Sequence, residues 1–360
     1  MTTRRVQGAA AVAATVVIAL TAVPAAQATA LFPHLRTVSA GQSIQAAVDS
    51  ARPGDEIVVL AGTYPGSVRI TTPGVTLRGT GPDTVIVPGV SGPQNACAIA
   101  GDGICVTGTA TDNAAGVTVK NLTVRGFRTN GLNASYADRL TVTGVTARDN
   151  GEEGISQERS VRGVFRGDTA RDNGQAGIFL ANTVSTEGGA TDTLGTRVTA
   201  NRLTGNRFGV VVRRLRDLTV ERNLVSGNCG GVFVIGDENV PRAGDLDIVD
   251  NEIVGNNKYC AAAARLPFIQ GTGVLLTGTD GVRVTGNTIL DNTGTSPMSG
   301  GVVLFNSNVG VHDTRNAVSR NIATGNAPAD LAVRDHGAGN TFLANTCGSA
   351  APVVAGRCDR

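Results

Sequence analysis

Glu152, Glu153 and Glu158, the pair Arg213 and Arg214, and Asp237 with Glu238 are the side chains of this 360-residue chain whose types and spacing can do chemistry. A guanidinium can hold an anionic group while a nearby carboxyl takes or returns a proton, so Arg213 with Glu153 or Glu158 forms a candidate catalytic set. Adjacent carboxylates such as Glu152 and Glu153 can hold a hard cation, calcium above all. Two carboxyls about 5–9.5 Å apart can divide acid and base roles, and Glu153 and Glu158 are the candidate pair. The competing reading is charge on a solvated face. Arg148-Asp149-Asn150 and Arg171-Asp172-Asn173 repeat one string and read as a surface ion ladder. His312-Asp313 and Asp335-His336 are isolated dipeptides, and Lys258-Tyr259 falls in a long loop.

Internal repeats decide whether these residues meet. An apolar-x-Val-x-x-Asn segment recurs, followed five residues later by a second Asn and then by Gly-apolar-x-apolar. The first polar column reads Asn121, Val145, Asp168, Asn201, Asn223, Asn251, Asn287, Asn321 and Asn345. The second reads Asn150, Asn173, Asn206, Asn228, Asn256, Asn292 and Asn326. The base period is about 22–24 residues, with insertions in four coils. Short Val- and Ile-rich segments of period two separated by Asn and Gly are strands, and helical spacing over ten or more residues is absent. A short strand cannot bury its inner face alone, so the coils must stack at about 4.8 Å, their Asn amides bonding from coil to coil. The expected fold is all-β, a parallel β-helix of roughly ten coils. Residues 38–54 are its N-terminal cap, with a short helix from Ser43 to Ala51 that Ser43 caps and Pro53-Gly54 ends.

Aligning the Gly-apolar strands sorts inward from outward positions. One outward column is Ser156, Phe179, Val211, Phe233, Leu275 and Val303; the next is Glu158, Ala181, Arg213, Ile235, Thr277, Phe305 and Arg334. Glu153 precedes its strand and Asp237 ends its own, so the charged set gathers on one face over about four coils. Phe179, Phe233, Asp237 and Arg214 are the expected substrate contacts. The apolar stripe either floors a groove or lies under a loop, and Leu266-Pro267-Phe268-Ile269 is the segment placed to cover it.

Arg4 and Arg5 account for the whole excess of 31 basic over 29 acidic side chains. A balanced remainder disfavours nucleic acid as a partner. Residues 1–30 read as a secretory signal peptide: two arginines, an apolar stretch Ala9–Val23 too short for a membrane span, and Ala28-Thr29-Ala30 at the cleavage site. Residues 31–360 are then one exported domain without a membrane anchor, expected extracellular and monomeric. Six cysteines suit that compartment. Spacing favours Cys97–Cys105 and Cys347–Cys358, the latter stapling a tail over residues 347–360. Stacking sets Cys229 and Cys260 on adjacent coils and favours their bridge.

Residues 42–64, from Gln42-Ser43-Ile44 through Pro53-Gly54-Asp55 to Gly62-Thr63-Tyr64, and the Asn-ladder coils together resemble the right-handed parallel β-helix, or pectin-lyase-like, superfamily over residues 38–346. The resemblance implies a sugar groove on the charged face. It also implies a polysaccharide or cell-surface glycan as partner, and cleavage of an acidic polysaccharide by β-elimination, with calcium neutralising a uronate carboxylate and Arg213 as either the base or the carboxylate clamp. Rivals on the same fold are a glycoside hydrolase and a non-catalytic binding protein. The chain departs from the enzyme patterns: it has no paired-Asp strand of the pectin-hydrolase type, no Asp-Pro-His string of the alginate-epimerase type, and no Trp. A metal-maturation role has weak support from 2 Met and 3 His.

Overall fold

The computed structural model describes residues 1–3, 34–90, 95–183, 186–263, 266–352 and 357–359. Nearly all of the proposed signal peptide lies outside them. Among the described residues no helix is long and apolar enough to cross a membrane.

Each coil contributes one short strand to each of three parallel sheets, of 12, 11 and 11 strands. That exceeds the roughly ten coils expected, because the N-terminal coils contribute strands Leu35–Val38 and Gly62–Pro65 without ladder asparagines. The inward residue of each strand stacks on its neighbour. In the first sheet Val119, Val142, Phe165, Val198, Val220, Ile248, Val284 and Val318 form one buried column. In the third sheet Ile155, Ile178, Val210, Val232, Val274 and Val302 form another. These columns converge on one core along the axis. Helix Ile44–Asp49 closes the N-terminal end, its Ser43 hydroxyl accepting from the Ala46 N–H at 3.1 Å and its Ile44 and Val48 turned into the core.

The two asparagine columns are hydrogen-bonded ladders. Asn201, Asn223, Asn251, Asn287 and Asn321 each donate Nδ2 to the next Oδ1 at 2.9 Å, ending on Asn345. The second runs from Asn150 to Asn326, whose Nδ2 donates to Asp330. Register corrects the lower end of the first column. Asn121 is exposed and occupies the left-handed corner position (φ 54°), where Gly144 and Gly167 stand in the next two coils. Buried Leu122, not Asn121, precedes Val145 in the column, so the polar ladder begins at Asp168. Asn tolerates a left-handed backbone better than most residues, which is why it also appears one position early.

All three disulfides form as paired above, with Cα–Cα separations of 5.7 Å for Cys97–Cys105, 5.9 Å for Cys229–Cys260 and 5.1 Å for Cys347–Cys358. A second helix, Ala96–Ala100, was not expected; Asn95 caps it and the first disulfide ties it to strand Ile104–Thr107.

Candidate functional site

The site lies on the outer face of the third sheet. Its strands open on a glycine for a steric reason: a Cβ at Gly154 would stand 2.7 Å from the Gly177 carbonyl oxygen and 2.8 Å from the Asn173 amide. The residue before that glycine faces outward, placing Glu153, Ala176 and Phe208 together in one column. The next outward column is the apolar stripe. It is buried at Val211, Phe233, Leu275 and Val303 and half-exposed at Phe179.

Both readings of the stripe hold, each for part of its length. Residues 260–263 and 266–269 pair antiparallel as the two arms of a hairpin, with Cys260 and Ile269 exchanging hydrogen bonds of 3.0 and 2.9 Å. Its Cys260, Leu266 and Ile269 pack with Phe208, Phe233, Leu275 and Met298, and Cys229–Cys260 ties the hairpin to the coil beneath. Beside it the stripe stays open. A cavity of about 580 Å³ is lined by Glu153, Gln175, Phe179, Phe208, Arg213 and Leu266. A second of about 370 Å³ shares Arg213, Phe233, Glu187 and Leu266 and continues to Asp237 and Phe305. Together they form a groove along the axis, with the hairpin as one wall and the loops after the strands as the other.

Glu153 and Arg213 give the groove its chemistry. The Glu153 carboxylate accepts from the Ala176 N–H at 2.6 Å. Desolvation nevertheless dominates, helped by the neighbouring Glu152 charge, and raises the carboxyl to about 7. Arg213 is held below the ordinary guanidinium value, first by desolvation and then by Arg214, against the opposing pull of Glu187, Asp237 and Glu158. Among the described residues nothing hydrogen-bonds or ion-pairs with its guanidinium. A half-buried guanidinium with no hydrogen bond or close ion pair among the described residues can receive an anion. Glu153 and Arg213 stand two coils apart at opposite ends of their rungs, so one ligand reaches both only by lying across the groove.

The other expected contacts fall differently. Arg214 is buried, in a left-handed backbone (φ 53°), and is spent on Glu187 at 2.8 Å, on Asp237 and on the Thr186 carbonyl at 3.0 Å. Arg214 and Asp237 are thus partners of each other and pin the groove wall. Phe233 is 1% exposed and packs on Phe208 at 4.7 Å between ring centroids, so it supports the floor from below; Phe179 keeps an open face. Glu158 stands in the Arg213 column, with Ala181 between them. Glu153 and Glu158 lie five residues apart on one extended rung, about 16 Å between Cα atoms, beyond the spacing of a hydrolase pair. Glu152 is exposed on the turn, and among the described residues no group of three or more acidic, His or Cys side chains converges. Two carboxylates fall short of the six to eight oxygens calcium takes, so no step below is routed through it. Gln175, Glu187 and Phe208 were not anticipated, whereas Leu266 belongs to the segment expected to cover the stripe. Phe208 precedes Gly209 as Glu153 precedes Gly154, a parallel the sequence contains.

The chain has the right-handed parallel β-helix fold. A family model described as periplasmic copper-binding protein (NosD) matches residues 184–353, a little under half of the chain. The donors for copper do not fit. All six cysteines are in disulfides, and the chain's methionines are Met1 and the buried Met298. Among solved structures, the chain is similar to the Azotobacter vinelandii mannuronan C-5 epimerase AlgE6 A-module (TM-score 0.57, 18% identity, covering 88% of this chain and 92% of that one). The corresponding AlgE4 A-module gives a TM-score of 0.52 at 16% identity, over 85% of this chain and 89% of that one. A double mutant of the periplasmic alginate epimerase AlgG gives 0.54 at 12% identity, over 88% and 72%. No curated protein matches the chain in sequence.

Proposed function

We propose that this protein is an exported enzyme of acidic polysaccharides that abstracts the proton next to a uronate carboxylate, with β-elimination as the outcome. The observation carrying the reading is the unpartnered, desolvated Arg213 in the same groove as a carboxyl held near neutrality. Arg213 stands roughly 19 Å from Glu153 between Cα atoms, by strand rise and coil spacing, so it holds the carboxylate of a neighbouring uronate ring of the same polymer. Ionised Glu153 takes the C5 proton of one uronate ring, the electron pair left on C5 forms the C4–C5 double bond and expels the glycosidic oxygen from C4, and that oxygen takes a proton from solvent water. Gln175 and Phe179 line the cavity where the sugar ring lies. Three disulfides suit an oxidising compartment.

The test is ultraviolet absorbance of unsaturated uronate, with mature protein on polymannuronate, polygalacturonate and glycosaminoglycans, with and without chelator. A signal lost in Glu153→Gln supports the reading, and loss on chelation alone would restore calcium to the mechanism. A second reading, C-5 epimerisation, is favoured by the three likenesses described above, each to an epimerase. It shares the first step and differs in reprotonating C5, so deuterium entering C5 from solvent without chain cleavage would select it. Retention on polymer with neither signal would make the protein a non-catalytic binder.

A further inference from the structure

The hairpin over the stripe has two faces. Cys260, Leu266 and Ile269 point inward and are packed. Tyr259 and Phe268 stack on each other, with ring centroids 5.7 Å apart and planes inclined by 29°. Tyr259 is 62% exposed, the most exposed aromatic side chain among the described residues. Holding the hairpin does not require this pair: a disulfide and four backbone hydrogen bonds already do so. An exposed tyrosine stacked on a half-buried phenylalanine is a preformed contact surface on a rigid support.

We propose that the Tyr259–Phe268 face is a stacking platform for one uronate-bearing sugar ring of the polymer, outside the groove. The proposal rests on the acidic-polysaccharide reading above and extends it. A pyranose presents an apolar C–H face that matches a flat aromatic one. Lys258, exposed beside Tyr259 and anchored on the Gly205 carbonyl, supplies a cation for the sugar's carboxylate. The same hairpin lends Leu266 to both cavities, so a polymer leaving the groove across this wall meets the platform next.

The chain has no Trp and 3 Tyr. Tyr64 is 3% exposed and Tyr136 is bonded and covered by Arg159, so acrylamide quenching of tyrosine fluorescence reports chiefly on Tyr259. Long polymannuronate or polygalacturonate should shield Tyr259 from quenching. Tyr259→Ala and Phe268→Ala should each weaken long-polymer affinity roughly tenfold, while Tyr259→Phe keeps it, since stacking and not the hydroxyl carries the contact. Turnover of tetrasaccharides should stay within about twofold of wild type in all three variants, because the groove is untouched. Wild-type affinity in both alanine variants, with no shielding, overturns the platform. Turnover without shielding leaves the groove reading standing and removes the platform; shielding without any turnover does the reverse.

Discussion

Asp168 and Glu153 sit on neighbouring coils, and burial raises both carboxyls, to about 8 and about 7. Their surroundings make them opposite kinds of residue. Asp168 is 1% exposed at the foot of the first asparagine ladder. Its Oδ1 accepts from the Val145 N–H at 2.8 Å, its own N–H donates to Asn201, and Oδ2 has no partner. In every coil above, an Nδ2 donor fills the second position. A protonated Asp168 is therefore a stand-in for asparagine. Glu153 has one N–H partner and an open cavity before it. A raised carboxyl marks a site only where a ligand can arrive.

Breaking this contrast begins at Glu153. Glu153→Gln should lower turnover by about 10²-fold or more while leaving the thermal midpoint near wild type. Arg213→Ala should do likewise, seen as a fall in kcat/KM on the polymer that Glu153→Gln fails to process; undiminished turnover would remove Arg213 from the chemistry. Because Glu153 must be ionised to act as a base, wild-type turnover should rise with pH through an inflection near 7, and a flat profile from pH 5 to 9 would assign the proton to another group. The ladder should respond in stability alone. Asn228→Ala removes donors to Leu203 and Asn256 inside the core and should cost about 2–3 kcal/mol in denaturant unfolding.

Asp168→Asn is the finest test. A carboxyl raised above its ordinary 3.8 binds its proton more tightly folded than unfolded, so its contribution is complete at low pH and is lost as pH rises from about 4 to about 8. The variant should match wild type near pH 4 and exceed it in thermal midpoint at pH 8. A lower midpoint at pH 8 would mean that the carboxylate itself is wanted there.

The same division governs what could be read from the chain. Ladders and inward columns repeat at fixed offsets, so periodicity exposes them, and the disulfides follow from two short loops and one pair of stacked coils. Periodicity failed by one residue at Asn121, where the side chain that builds the ladder also suits the corner beside it. The groove depends on what repeats do not encode. Arg213 and Arg214 are adjacent and alike in sequence, yet a left-handed backbone at Arg214 commits it to Asp237 and leaves Arg213 free. Phe233 reads as an outward ring until a hairpin from the next coil is laid over it. The contacts of Arg214 and Phe233 are long-range, made by inserted loops whose direction no local pattern specifies.

Those insertions fall in a revealing place. The described residues of 182–183 and 186–190, 236–246, 257–263 and 266–270, and 306–316 all leave the stack at one or other end of a third-sheet strand, and the ladder bonds of their coils remain closed. Lengthening a surface loop costs little free energy when its ends are already fixed. The walls of the groove can therefore change coil by coil while the stack beneath keeps its register. Such a molecule can acquire a new specificity through a single insertion, with the price of foldability already met by the asparagines.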